Sequence, residues 1–281
     1  MGYLGIENIE WFIEHIANNS TIDLAQYDNF IDPSIWAILR SKLLLGSLDI
    51  IPFPIESKSH QYLMKILGNS TSDTTLPLER FNSDNRDESD QFAENFIKLI
   101  DIEDEDLKKY AQYIIRELLT NTIDHAKSIT DVVCCAQKFP KLKEIEIIII
   151  DTGLGFHKTI SRKYKEINSN EKAIIKALEK GVTGTTENKI YYSLYGQVKN
   201  AGYGLYVISE MVKYYKGKLW IISKNGFMIQ RPNSIVSKTV NYEWNGSIVI
   251  VRLPYDKLNH TFSNFMKYIT QNRQQDNSDI F

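Results

Sequence analysis

The stretch Arg116-Glu117-Leu118-Leu119-Thr120-Asn121-Thr122-Ile123-Asp124-His125 decides how the rest of the chain is read. Wound as a helix at about 100° per residue, it brings Glu117, Asn121 and Asp124 within roughly 60° of one another on one face. Ile114, Ile115, Leu118 and Ile123 spread over much of the remaining circumference. A helix with that much apolar surface belongs in a core. Two acids and an amide on its polar face are costly there unless something binds to them.

Working outward, the helix is predicted over 103–127, after another helical pattern that starts near Asp90 (Phe92, Phe96, Leu99). Downstream the period changes to that of strands. Runs at 132–138 and 144–151, separated by Phe139-Pro140-Lys141-Leu142-Lys143, predict an antiparallel hairpin. The second run holds isoleucine at 147, 148, 149 and 150 and ends in Asp151-Thr152-Gly153-Leu154-Gly155. Residues 156–168 read as loop or short helix, and 171–180 as a helix stopped by Gly181. Residues 182–199 read as a flexible segment holding Gly184-Thr185-Thr186 and a tyrosine cluster. Asn200-Ala201-Gly202-Tyr203-Gly204-Leu205 opens a further helix, with Ile208, Met211, Val212 and Tyr215 inward and Gly217 as its stop. Three β-rich runs follow, at 218–223, within 235–244, and at 247–253 after Gly246.

Upstream, residues 7–18 and the stretch from Asp32 to Gly46 read as helices. In the second, Asp32 suits the cap, Pro33 the first helical position and Gly46 a left-handed end. A strand at 48–52 and a short helix at 57–67 complete a small α/β unit over 1–68. Residues 69–90 are rich in Asn, Ser, Thr and Asp and read as a polar linker. The tail, 259–281, has one amphipathic patch (Phe262, Phe265, Met266, Ile269) and a polar end.

Composition adds bounds. With 281 residues, 43% apolar, 24% charged and a net charge of -2, the chain reads as an ordinary soluble globular protein of one or two domains. That balance points to neither nucleic acid nor an anionic membrane. No secretory leader or membrane-spanning run is present, and the only cysteines, Cys134 and Cys135, are adjacent and so alternate faces of a strand. A reduced, cytoplasmic protein is the expectation.

Four features thus occur in order: Glu117-x3-Asn121-x2-Asp124-His125 on a helix, Asp151-x-Gly153-x-Gly155 after a strand, Gly202-x-Gly204 at a helix start, and Gly246-Ser247 opening a late strand. Each alone is a common turn or surface pattern; the order and context make them informative. No GxxxxGK[ST] phosphate loop is present, and the GxG lacks the third glycine and parallel setting of a dinucleotide fingerprint.

As a set, these boxes resemble the GHKL superfamily of ATP-binding domains, shared by gyrase-type topoisomerases, heat-shock chaperones, sensor histidine kinases and mismatch-repair ATPases. The resemblance implies an α/β fold of the α+β two-layer type: a mixed, mainly antiparallel sheet covered on one face by helices, over 91–258. It implies ATP and Mg²⁺ as cofactors. Asn121 would hold the metal through its side-chain oxygen, as a hard cation requires. Glu117 would activate the attacking group. Asp124 and His125 would reach phosphate, ribose or lid. Asp151 would accept from the adenine amino group, with Gly153 and Gly155 letting the backbone approach the base. Gly202, Tyr203, Gly204 and Leu205 would form the phosphate-facing helix start, with Lys199 and Asn200 just before it. Ser247 matches the family threonine that supports adenine. Residues 182–199, with Thr185, would be the lid.

Within the superfamily, His60 lacks the acidic neighbour of a histidine-kinase phosphoacceptor, and little chain follows Pro254 to form a transducer domain. The chain is most similar to stand-alone bacterial members such as the anti-sigma-factor serine kinases. Residues 1–68 bear a weaker resemblance to STAS-type modules, through Ile22-Asp23-Leu24 and Ile31-Asp32-Pro33. The implied functions are ATP hydrolysis or γ-phosphate transfer to a protein with lid closure as a switch, an ATP-gated interaction module, or a histidine kinase-like autokinase. The expected partners are ATP, a protein partner or substrate, and a second copy of the chain in a homodimer, with no nucleic acid and no membrane.

Overall fold

A computed structural model describes residues 3–27, 30–51, 57–68, 72–81, 86–100, 105–122, 127–182, 190–193, 196–199, 204–254, 264–265 and 267–269. In chain order, the N-terminal segment contains β1 (Tyr3–Leu4), α1 (Ile9–Asn18), β2 (Thr21–Asp23), β3 (Phe30–Ile31), α2 (Pro33–Leu44), β4 (Asp49–Ile51) and α3 (Lys58–Ile66). Then come β5 (Thr75–Phe81), α4 (Arg86–Ile100), α5 (Glu105–Asn121), β6 (Val132–Phe139), β7 (Glu144–Asp151), α6 (Gly155–Ile160) and α7 (Asn170–Ala177). The rest is β8 (Ile190–Ser193), β9 (Gly196–Lys199), α8 (Gly204–Tyr214), β10 (Lys218–Arg231) and β11 (Ser234–Pro254).

The main sheet has five strands in the order β10-β11-β7-β6-β5, with antiparallel pairing throughout. This is the expected α+β architecture. The β6–β7 hairpin forms as read, and its turn places Lys143 at φ 54. Two small parallel ladders, β1 with β3 and β2 with β4, belong to the N-terminal segment.

Strand alternation divides the core in two. Ile145, Ile147 and Ile149 of β7 face α4, α5, α6, α7 and α8, joined by Phe265 and Ile269 from the tail. Ile148 and Ile150 face the other way and pack with Phe12, Ile35, Ile38, Leu39 and Ile66 of α1, α2 and α3. Helices therefore cover the second face as well as the expected first one. The isoleucines at 147–150 explain why: apolar side chains at both parities leave neither face fit for water. Cys134 and Cys135 lie on opposite faces, both buried and free.

Three segments differ from the sequence reading. Residues 75–81, inside the stretch read as polar linker, form β5 at the sheet edge. Pro77 falls where the β5–β6 register breaks between Leu76 and Glu79, and a proline with no N–H is confined to edges and bulges of this kind. Residues 190–193 and 196–199, inside the segment read as a flexible lid, form the β8–β9 hairpin, where the β-favouring Tyr191 and Tyr192 overrode the loop-like surroundings. The runs at 218–223 and 235–244 belong to two much longer strands, β10 and β11, which stay paired through a bulge. Among the described residues, no helix is long and apolar enough to cross a membrane.

Candidate functional site

One end of β7 gathers two of the sequence boxes, Asp151–Gly155 and Gly246–Ser247. Asp151 closes that strand and pairs in register with Ser247 of β11. Its carboxylate is only 4% exposed. Gly153 N–H donates to Oδ1 at 2.8 Å, and the Ser247 hydroxyl donates to Oδ2. Burial pushes the Asp151 carboxyl above its usual range, against these hydrogen bonds and the nearby Lys224 charge. With the Ser247 backbone N–H as a third donor, acceptor capacity remains on a carboxylate that can take about four hydrogen bonds.

Glycine makes this packing feasible. Gly246 has φ 94, and a Cβ there would strike the Asp151 carbonyl and Gly153 nitrogen. Gly155 has φ 74, and a Cβ there would lie 2.7 Å from Ser223 Oγ. Both positions require a residue that tolerates the left-handed region without a side chain.

Glu117 and Asn121 stand on α5, whose Ile114, Ile115, Leu118 and Leu119 are buried in the first core. Glu117 points toward the start of α8: a Cβ on Gly204 would land on its carboxylate. Loss of solvation pushes the Glu117 carboxyl up to about 7. One turn on, Asn121 has a buried side-chain nitrogen with no hydrogen-bond partner among the described residues. An unpartnered amide beside a desolvated carboxylate is costly in the free protein and fits a site completed by a ligand. Asn121 also carries a neutral side-chain oxygen of the kind that could hold a hard cation.

The structure thus brings together Asp151, Gly153, Gly155 and Ser247, and separately Glu117 with Gly204; Leu205 follows in the first turn of α8, 8% exposed. Lys199 lies on the backbone of β9. Asp124, His125, Thr185, Asn200, Gly202 and Tyr203 lie outside the described residues.

Sequence reasoning missed a set of hydroxyls that fasten this end of the sheet. Thr152 Oγ1 accepts from Thr130 N–H at 3.0 Å and lies 3.1 Å from Ser128 Oγ, while Thr152 N–H donates to Ser128 Oγ at 3.0 Å. The chain just beyond α5 is thereby tied to the residue beside Asp151. Ser223 was also missed, although Lys224-Asn225-Gly226 directly after an apolar run is a turn signal and marks the β10 bulge.

Comparison with known families agrees with this geometry. The family described as histidine kinase-, DNA gyrase B-, and HSP90-like ATPase matches residues 107–257, more than half of the chain. The chain belongs to this family. No curated protein and no solved structure matches it. The match runs from α5 through β11 and contains all four boxes, so this portion is a GHKL module of the ATP-binding kind. The N-terminal segment that covers the second face of the sheet lies outside the matched residues.

Proposed function

We propose that the protein binds Mg-ATP on the first face of the sheet and cleaves its γ-phosphate, passing it to water or to a protein hydroxyl. The observation that carries this is Glu117, desolvated against the first residue of α8 and one turn from the unpartnered amide of Asn121. A carboxylate pushed up to about 7 is poised as a general base near neutral pH. Glu117 takes the proton of the attacking hydroxyl as its oxygen bonds to the γ-phosphorus, the bond to the bridging oxygen breaks, and ADP leaves. Asn121 would hold the cation, which when bound neutralises phosphate charge. Asp151 reads the base: a buried carboxylate with spare acceptor capacity selects an exocyclic amine and rejects a carbonyl in its place. The segment containing β8 and β9 acts as the lid.

Incubation with γ-labelled ATP, alone and with cell lysate, tests this. Free phosphate, a self-labelled chain and a labelled partner distinguish ATPase, autokinase and protein kinase. Glu117→Gln should lower label release or transfer by about 10²–10⁴-fold while ATP binding persists. Asn121→Ala should weaken Mg-ATP binding by about tenfold or more. Undiminished binding by the Asn121 variant would remove the site assignment, full turnover by the Glu117 variant would remove Glu117 as the base, and full biological activity of a Glu117 variant that binds ATP without turning it over would favour an ATP-gated interaction module.

A further inference from the structure

Ser223 lies on β10 at the point where the strand's register breaks, between Ser223 and Lys224. Its side chain is fully buried. Alternation with Leu219 and Ile221 of the first core, and pairing with Ser247, place it on the face and at the end of the sheet that carry Asp151, beside a bulge of the kind common near functional sites. There the hydroxyl works in both directions. It accepts from Phe156 N–H at 3.0 Å and donates to the Gly246 carbonyl at 3.2 Å.

Those two groups belong to the two segments that aim Asp151. Phe156 lies in the first turn of α6, directly after the Asp151–Gly155 turn. Gly246 packs its Cα against the Asp151 carbonyl and the Gly153 nitrogen, and the next residue, Ser247, donates to the Asp151 carboxylate. Ser223 also pairs with Ser247 across the β10–β11 ladder. One hydroxyl therefore closes a ring that runs from Asp151 through Gly153, Gly155 and Phe156 to Ser223, then through Gly246 and Ser247 back to Asp151. The Lys224 stem lies against Gly155 from the same bulge, with Cγ 3.3 Å from where a Cβ would be.

We infer that Ser223 is a positioning residue for base selection: its hydroxyl ties the turn after β7 to the Gly246-Ser247 turn and so fixes the angle at which Asp151 meets the nucleobase. The inference rests on the nucleotide reading proposed above. Removing the hydroxyl leaves the Phe156 N–H and the Gly246 carbonyl buried without their partner, and the two turns free to part. The consequence falls on base recognition, because none of the ring residues belongs to the Glu117–Asn121 group.

The test measures equilibrium binding of three probes to the full chain: ATP, inosine triphosphate, which has a carbonyl in place of the 6-amino group, and inorganic tripolyphosphate with Mg²⁺. Wild type should prefer ATP to inosine triphosphate. In Ser223→Ala that preference should fall by about tenfold, with tripolyphosphate affinity unchanged. Ser223→Thr, which keeps the hydroxyl, should restore it. Should the alanine variant not fold, Ser223→Cys, which keeps the volume and weakens the donor, is read in the same way. An unchanged preference in a folded variant overturns the inference alone. Equal losses for all three probes also overturn it, since they mark a structural role only. Wild type that binds no ATP overturns the nucleotide reading and this inference with it.

Discussion

β7 carries two buried acids on opposite faces of the same sheet, and they are treated differently. Asp151 ends the strand on the first face, is held by the Gly153 and Ser247 backbone N–H groups and the Ser247 hydroxyl, and has Gly246 packed closely against its backbone. Glu146 lies on the face covered by the N-terminal segment and is 1% exposed. Nε and Nη2 of Arg252 both donate to its Oε2, and Arg252 also approaches Asp32 at 3.5 Å. Asp32, at the start of α2, accepts Ile6 N–H at 2.8 Å. Phe139 covers the guanidinium, its ring centroid 5.0 Å away. Burial raises the Glu146 carboxyl, with Arg252 opposing the shift. A buried acid is therefore no mark of function by itself. What separates the two is the partner: Glu146 is paired with an arginine of its own chain beneath the N-terminal segment, while Asp151 is held by hydrogen bonds and Glu117 lies desolvated against the glycine that begins α8.

If that division is correct, damage to the second face should unfold the protein, and damage to the first should leave it folded and inactive. The largest effect should come from deleting residues 1–68. The deletion uncovers Val133, Cys135, Ile148, Ile150, Trp220, Ile222, Ile248 and Ile250, now nearly all fully buried. Each large side chain returned to water costs about 1.5–3 kcal/mol, which exceeds the whole stability of a typical domain when summed over the patch. The deleted protein should aggregate or bind hydrophobic dyes, as seen by sedimentation and fluorescence. A soluble, cooperatively melting fragment that binds ATP would break the comparison.

A smaller loss should follow Arg252→Met. This leaves Glu146 and Asp32 buried against each other without their cation and should cost about 3–5 kcal/mol in denaturant unfolding. The ATP-over-inosine-triphosphate preference of the surviving folded fraction should be unchanged. A loss of that preference with little loss of stability would show that the two faces communicate through β7 and β11.

Much of this was legible in local sequence. The β6–β7 hairpin was clear because two continuous β-rich apolar runs flank a turn containing proline. α2 was clear at both ends, with Pro33 at its first position and Gly46 at φ 65. The four boxes were legible as a set because of their order, although Gly246-Ser247, read as opening a late strand, lies within the long β11. What escaped is long-range. Asp32 stands at the N-cap as read, but its side chain makes no cap bond and turns instead to Ile6 and Arg252. No local window contains Arg252. β5 escaped because its pairing lies with β6 and because Pro77 and the polar runs on either side of it read as linker. Ser223 escaped because a buried serine in a strand has no signature until the fold brings Phe156 and Gly246 to it.

The smallest effect concerns pH. The Glu117 carboxyl stands at about 7 in the folded protein, above the usual carboxylate value near 4.5. Between those values the folded state holds a proton that the unfolded state has lost. Stability must therefore fall as pH rises through this window, because the folded state binds more protons there. Activity runs the other way, since the base must be ionised to accept a proton, and turnover should climb as pH passes about 7. Glu146 is also raised and adds its own slope of the same sign to wild-type stability. The comparison that isolates Glu117 is the difference between wild-type and Glu117→Gln unfolding curves from pH 5 to 8. The variant should gain relative stability toward the alkaline end while losing turnover. A flat difference would mean that the Glu117 carboxyl is solvated after all, and that the space before Gly204 is open to water rather than reserved for a ligand.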